Sequence, residues 1–372
     1  MTVEPTGIFL VCPPGLEPQL AEEATEAGFD GVAVAPGGVT IAGGWPQVWR
    51  ANLDLRGAVR VLAGIGGFRA FHLAQLDKRA RKFPWSDVLR PDVPVAVEVA
   101  TNRKSKIYHA GAAVQRIETA IAEELGAPIG PGGVTVRARI DDNFVSLSVD
   151  ASGESLYKRG HKVAVGKAPM RETMAAMFLR ACGYRGTEPV LDPMCGSGSF
   201  VIEAAEIAAG LRPGRARGFA FERLAIFDAG AWADTRARPD RPWPDLAFHG
   251  SDRDAGAFAA ARANAERAGV GGLVHFEKAA VSEIEPPPGP PGLVIANPPY
   301  GGRIGDRKKL YPLYAALGHA LQQRFAGWRV GIVTTEAGLA GAMQLPFAPP
   351  GPPVPHGGLK VRLWQTGTLP GP

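Results

Sequence analysis

Two short stretches of this chain combine residue types that could place a methyl group on nitrogen. The first is Asn297-Pro298-Pro299-Tyr300, directly after the apolar run Val294-Ile295-Ala296. Two consecutive prolines fix φ and remove two N–H donors, so the loop is stiff and its carbonyls stay available. The Asn297 side-chain oxygen and the Pro298 backbone carbonyl can both accept a hydrogen bond from an exocyclic amine. Held that way, the nitrogen is drawn toward tetrahedral geometry and its lone pair is directed at an electrophilic methyl. Tyr300 offers a ring on which a base can stack. No strong general base is required, because the nitrogen can release its proton after transfer. Methylation at pyrimidine carbon 5 would instead need a cysteine nucleophile in this loop, and none is there.

The second stretch, Val190-Leu-Asp-Pro-Met-Cys-Gly-Ser-Gly-Ser-Phe200, puts an acid at a strand end and two glycines in the turn that follows. Glycine permits positive φ and close backbone approach, and the following helix start offers N–H groups without intrahelical partners. The next acid at a strand end, Asp252, lies 56 residues beyond Gly196. A dinucleotide fold places its ribose-binding acid about 20 residues on. The longer spacing argues against NAD and for S-adenosyl-L-methionine, whose ribose hydroxyls Asp252 would accept. An insertion over residues 210–245, rich in Arg, Trp and Pro, accounts for the excess length.

The elements that must position these residues follow from periodicity. Residues 7–12 and 31–42 read as strands around a helix over Glu17–Ala27. A second helix over Trp45–Leu55 and a strand over Arg56–Ile65 complete a small α+β unit. Beyond Phe68 come a helix in AQLDKRARKF, a strand in VAVEVATN, and a helix over Ala110–Leu125 ended by Gly126. A hairpin then turns around Asp141–Asn143. From Arg171 onward, helices alternate with apolar strands, the pattern of a doubly wound parallel sheet. Its strands are expected at 189–192, 246–252, 273–279, 292–300, 329–335 and 359–367, with the Pro/Gly run 349–358 as a loop. The expected domains are 1–65, 66–160, a linker at 161–170, and 171–372.

Composition sets the outer bounds. The chain has 372 residues, 45% hydrophobic and 21% charged, with 41 basic against 36 acidic side chains. This excludes disordered, collagen-like and coiled-coil chains. No stretch approaches the ~18–20 apolar residues of a membrane span, and the first residues lack a signal-peptide pattern. Cys12, Cys182 and Cys195 show no metal-ligand spacing, so no metal and a reduced, cytoplasmic compartment are expected. The net charge of +5 is unevenly distributed: −4 over residues 1–65, +5 over 66–170, and +4 over the rest. Basic clusters stand at Lys78, Arg79, Arg81 and Lys82, at Arg103, Lys104 and Lys106, and at Lys158, Arg159, His161 and Lys162. Such clusters can neutralise phosphates.

Taken together, DPMCGSG, GSDRD, ANPPYGGRIG and LYKRGHK resemble the THUMP-domain class I RNA methyltransferases, and most nearly the bacterial 23S rRNA guanine-N2 methyltransferases. The resemblance spans nearly the whole chain. It implies an α/β protein with a ferredoxin-like N-terminal unit, a THUMP RNA-binding region and a Rossmann-like methyltransferase domain. By position, it implies that Asp192, Pro193, Cys195, Gly196, Gly198 and Ser199 surround the methionine part of the cofactor. Asp252 would hold the ribose, Arg253 would lie beside the adenine, and Asn297 through Tyr300 would hold the target base. One departure stands at Ala280, where the family commonly has an Asp that reads the adenine amino group. Backbone groups, Ser282 or Glu283 are the available substitutes there.

Cys195 reads as a packed loop residue, Trp232 and Trp243 as core, and His161 as a candidate RNA contact. Glu222 could be structural or cofactor-facing. The implied partner is structured RNA, rRNA before tRNA. The rival readings are a tRNA guanine-N2 methyltransferase, an adenine-N6 DNA methyltransferase and a non-catalytic RNA-binding assembly protein. The middle basic segment argues against DNA, and intact Gly196, Gly198, Asp252 and Asn297 argue against a vestigial site.

Overall fold

The computed structural model describes residues 4–162, 170–237, 242–300 and 310–371. Most of the expected linker (residues 163–169) and the GGRIG that follows Tyr300 (residues 301–305) lie outside the described residues. The chain forms two compact units. The first comprises Met1–Cys12, Leu20–Leu156 and Arg217–Arg238; the second comprises Pro13–Gln19, Tyr157–Ala216 and Pro239–Pro372.

The first unit is built on one seven-stranded sheet. Its strands are β1 (Ile8–Val11), β2 (Ala33–Ala35), β3 (Gly38–Ile41), β4 (Arg60–Arg69), β5 (Val95–Thr101), β6 (Val134–Asp141) and β7 (Phe144–Asp150). Their spatial order is β2-β3-β1-β4-β7-β6-β5. Helices α1 (Glu17–Glu26), α2 (Trp45–Asp54), α3 (Leu73–Arg81) and α4 (Ala110–Leu125) connect them. Burial follows the sequence periods. Alternate residues of β6 are buried, and α4 buries Ala113, Ile117, Ala120 and Ile121 before Gly126 ends it at φ +78°. Asp142 and Asn143 both take positive φ, 47° and 59°. That is the two-residue turn whose twist suits a hairpin.

The expected boundary at 65/66 falls inside β4. This single strand pairs with β1 through Val61, Leu62 and Ala63, and with β7 from Leu62 through Arg69. The register shifts between Gly64 and Gly66, where Gly66 has φ +130°. A bulge at this point turns the strand from one half of the sheet to the other. Gly67 is required for a different reason: a Cβ there would sit 2.5 Å from the Val145 carbonyl.

The insertion also divides differently from the expectation, because residues 217–238 group with the first unit. The Arg217 guanidinium donates to the carbonyls of Ser152, Glu154 and Ser155. Phe221 lies 6.0 Å from Trp49 and 4.9 Å from Trp232, measured between ring centroids. Trp232, in α7 (Ala229–Arg236), is therefore core, whereas Trp243 is 57% exposed, against expectation. Glu222 accepts the Phe219 N–H at 2.8 Å and so has a structural role.

The second unit holds the other seven-stranded sheet. Its strands are β8 (Val190–Asp192), β9 (Phe248–Ser251), β10 (Val274–Glu277), β11 (Leu293–Ala296), β12 (Arg329–Thr334), β13 (Val354–His356) and β14 (Leu359–Gln365). The order is β10-β9-β8-β11-β12-β14-β13, parallel from β10 to β12 with β14 antiparallel to β12. Helices α5 (Glu172–Ala181), α6 (Ser199–Ala208), α8 (Ala255–Ala268), α9 (Leu310–Arg324) and α10 (Ala337–Ala342) connect the strands. The chain runs outward from β8 to β9 and β10, then returns to the other side of β8 as β11. Ligands of open α/β sheets bind at such a reversal, beyond the carboxyl ends of the strands. The run expected as a loop contains β13. Pro355 is tolerated there because the strand lies at the sheet edge, and Val354 anchors it at 1% exposure.

Candidate functional site

Each motif sits at a carboxyl end of the central strands. Asp192 ends β8 at 2% exposure and accepts the Met194 N–H at 3.0 Å. Burial pushes its carboxyl up to about 8, the Asp252 charge adds to the rise, and the Met194 N–H opposes it. A carboxylate removed from water and lacking a counter-charge holds its proton. Cys195 donates its N–H to the Ser251 carbonyl at 2.9 Å. Its thiol is buried and pushed well above the usual range, chiefly by burial, so it packs the loop and carries no nucleophile.

Gly196 and Gly198 have φ of +53° and +84°, which only glycine adopts at little cost. A Cβ on Gly198 would lie 3.0 Å from Ile202 and 3.3 Å from Ala261, whereas a Cβ on Gly196 would meet nothing within 4 Å. One glycine thus allows packing and the other borders open space. Asp252 follows β9 and is oriented by two backbone amides, Gly196 N–H at 3.1 Å and Asp254 N–H at 2.9 Å. The first of these bonds joins the glycine turn to the acid at the next strand end. Arg253 is exposed and Pro193 is buried.

At Ala280 the backbone is already engaged. Its N–H donates to Glu283 Oε2 at 3.2 Å, and its carbonyl accepts the Glu283 N–H at 2.9 Å. This turn uses the Ala280 N–H and one oxygen of Glu283, and leaves the Ala280 carbonyl a second lone pair.

The Asn297 loop leaves β11 beside β8. Asn297 Oδ1 is buried and has no hydrogen-bond partner among the described residues. A buried acceptor left unpaired costs ~1–3 kcal/mol, so one at the end of a central strand marks a place for a donor. Tyr300 packs partly against the core cluster that includes Tyr314, Leu317 and Val330.

The structure separates the basic residues into two classes. In the first unit, Lys78, Arg79, Lys82, Arg103, Lys104 and Lys106 are exposed. Arg81 is not a free charge, since it pairs with Asp77, Glu123 and Glu124. Around Lys106 the surface carries aromatic rings: Tyr108 is 65% exposed, Phe71 is 40% exposed, and Lys106 Nζ lies 5.6 Å from the Phe71 centroid.

Arg159, His161 and Lys162, expected to face RNA, are buried in the second unit at 2%, 6% and 11% side-chain exposure. Arg159 faces Glu203 at 3.4 Å and His161 faces Glu206 at 3.9 Å. Lys162 Nζ donates to the Met170 carbonyl at 2.8 Å and Ser199 Oγ at 2.7 Å, and lies 3.3 Å from Glu172. Burial lowers the pKa of both His161 and Lys162, against the pull of these carboxylates. Arg159 and Lys162 satisfy buried acids and His161 is held toward its neutral form, so none of the three is presented to phosphates. Ser199, expected at the cofactor, is taken up by the same network.

Asn264, not among the residues expected at the site, reaches from α8 to the Ser197 carbonyl at 3.0 Å. A single Asn in an Ala-rich helix was the available signal.

Comparison with known proteins identifies the family and the fold. The family model described as the RMKL-like methyltransferase domain matches residues 159–346, and that of the RlmL ferredoxin-like domain matches residues 7–62. A Synechocystis protein provisionally named an RNA methyltransferase, slr0064, is 31% identical over 361 residues, covering 94% of this chain and 93% of its own. SMU.472, provisionally named a methyltransferase and solved with S-adenosylhomocysteine, superposes with a TM-score of 0.88 at 26% identity, over 100% and 99% of the two chains. A Listeria monocytogenes protein described as a predicted N6-adenine-specific DNA methylase has a TM-score of 0.84 at 29% identity, over 97% and 96%.

Proposed function

Since the chain belongs to the RMKL-like methyltransferase family and carries the RlmL ferredoxin-like domain, we propose that it methylates the exocyclic N2 of a guanine in 23S rRNA. The enzyme is an S-adenosylmethionine-dependent RNA methyltransferase. The observation that carries the amine reading is the buried, unpartnered Oδ1 of Asn297 at the end of β11. Asn297 Oδ1 and the Pro298 carbonyl accept the two amine hydrogens, and Tyr300 holds the base plane. The nitrogen gains the methyl group and releases one proton to water. S-adenosylmethionine supplies that methyl as an electrophile on a cationic sulfur.

The residues present fit this cofactor. Open space borders Gly196, Asp252 is pre-oriented by backbone amides for a ribose, and Asp192 is an acid without a counter-charge. Asp192 gives the site a pH signature. Its folded pKa of about 8 lies above the ~4 of a free Asp. The cofactor-free protein therefore binds the extra proton between those values and loses stability as pH rises through them. A cationic cofactor favours the ionised acid, so binding below pH 8 expels a proton. Cofactor affinity should rise up to about tenfold per pH unit toward 8 and then level. Calorimetry in buffers of different ionisation enthalpy reads the released proton. A profile that is flat, or unchanged by Asp192→Asn, contradicts the assignment.

Residues 66–160 are read as the THUMP region that grips structured RNA through phosphates and shape, and the target base is extruded into the Asn297 loop. The proposed compartment is the cytoplasm, where rRNA is found; among the described residues no helix is long and apolar enough to cross a membrane. Neutralising Arg103, Lys104 and Lys106 together should weaken RNA binding and lower the magnitude of the salt slope by about 2–3. An unchanged slope moves the RNA surface elsewhere.

The decisive test is nucleoside mass spectrometry of rRNA, tRNA and DNA from a deletion strain and after treatment with the purified enzyme. Loss and restoration of N2-methylguanosine in 23S rRNA is expected. The same change in tRNA would establish the tRNA reading instead. N6-methyladenine in DNA, the activity in the name of the Listeria neighbour, would overturn both.

A further inference from the structure

We infer that Tyr314 and Thr335 position the Asn297 loop by holding its last two carbonyls, those of Pro299 and Tyr300, which leaves Asn297 Oδ1 and the Pro298 carbonyl to accept from the amine. The inference rests on the amine-methylation reading above and adds residues that the motif does not contain. Tyr314 lies on α9 with no exposed surface. Its Oη donates to the Pro299 carbonyl at 3.3 Å and lies 3.1 Å from Thr334 Oγ1. The phenol has one proton and the Pro299 carbonyl can only accept, so both contacts are made at once only when Tyr314 donates to Pro299 and the Thr334 hydroxyl donates to Tyr314. Thr334 ends β12 and is fully buried. The adjacent Thr335 Oγ1 donates to the Tyr300 carbonyl at 3.4 Å.

The loop follows β11, and β11 pairs with β12 in parallel register, with Ala296 opposite Ile332. The two strands therefore deliver the loop and its clamp to the same end of the sheet. Two prolines stiffen the loop without fixing its end: φ is set at both and ψ is restricted at Pro298, which precedes a proline, but ψ stays free at Pro299. Bonds to two successive carbonyls fix those peptide planes. Burial raises the Tyr314 hydroxyl above its ordinary range, so it remains a donor at every working pH. Tyr314 touches no reacting atom in this scheme. It is a positioning residue.

The test is Tyr314→Phe, which keeps the ring and removes only the donor. At saturating RNA and cofactor, kcat should fall about tenfold, the factor that corresponds to one well-placed hydrogen bond. KM for RNA and Kd for S-adenosylmethionine should stay within about twofold. Thr334→Val, away from the loop, should lower kcat in the same direction by less, and it serves if Tyr314→Phe folds poorly. Hydrogen–deuterium exchange of a peptide spanning 293–300 should become faster in both variants, with peptides of β8 and β9 unchanged.

An unchanged kcat in an active enzyme overturns the inference, as does a loss confined to KM. If the wild-type protein methylates none of rRNA, tRNA and DNA, the functional reading fails by itself. The exchange measurement then still decides whether Tyr314 holds the loop, and unchanged exchange overturns it.

Discussion

Asn297→Ala should reduce methyl transfer about 10²–10³-fold, the cost of removing one preorganised polar group that acts on the transition state. The Asn297 side-chain oxygen is buried without a partner, so the resting protein already bears the cost of desolvating it. That cost is recovered when an amine donates to it, and the bond strengthens as positive charge develops on the nitrogen during transfer. Alanine removes the acceptor and leaves Pro298, Pro299 and Tyr300 in place. Single-turnover rates at saturating RNA and cofactor should show the loss. RNA affinity and S-adenosylmethionine affinity should remain within about twofold. Substantial residual turnover would sink the role assigned to Asn297. Asn297→Asp is the informative companion, since it keeps an acceptor at the same position and should retain more activity than alanine.

Lys162→Met should destabilise the second unit by about 3–5 kcal/mol, the range for breaking a buried ion pair from one side. Three acceptors converge on its ammonium: the Met170 carbonyl, Ser199 Oγ and Glu172. Glu172 is 5% exposed, so methionine would strand a buried carboxylate beside the first turn of α5. Ser199 begins α6 directly after the glycine turn, so the loss should also loosen the cofactor loop. Denaturant unfolding measures the first effect, and the double substitution Lys162→Met/Glu172→Gln should recover more than half of it. A cost below about 1 kcal/mol, as at an ordinary surface position, would put Lys162 in solvent and revive it as an RNA contact.

How much of this was legible beforehand depends on how local the signal is. Helix α4 lies where periodicity and its terminal glycine put it, and the turn at Asp142–Asn143 is where two turn-forming residues separate two alternating strands. The strand-end placement of Asp192, Asp252 and Asn297 was equally readable. An apolar strand followed by a glycine or proline turn is a short-range pattern, and a parallel sheet gathers such turns at one end.

Charge was misread where its partner is distant in sequence. Arg159, His161 and Lys162 look like a phosphate-binding run beside Lys158. Yet Glu203 and Glu206 reach Arg159 and His161 from α6, more than 40 residues away. Arg81 is likewise neutralised by Glu123 and Glu124 on α4. The placement of residues 217–238 escaped the sequence for the same reason, since an insertion's docking surface is a tertiary fact. The sequence by itself determined the chemistry-bearing residues and the strand ends that carry them, because those depend on neighbours within a few positions. Only the tertiary structure decided which cations are free, which acceptor is left unpaired and what holds the Asn297 loop, because burial and pairing depend on what the rest of the chain brings to the same place.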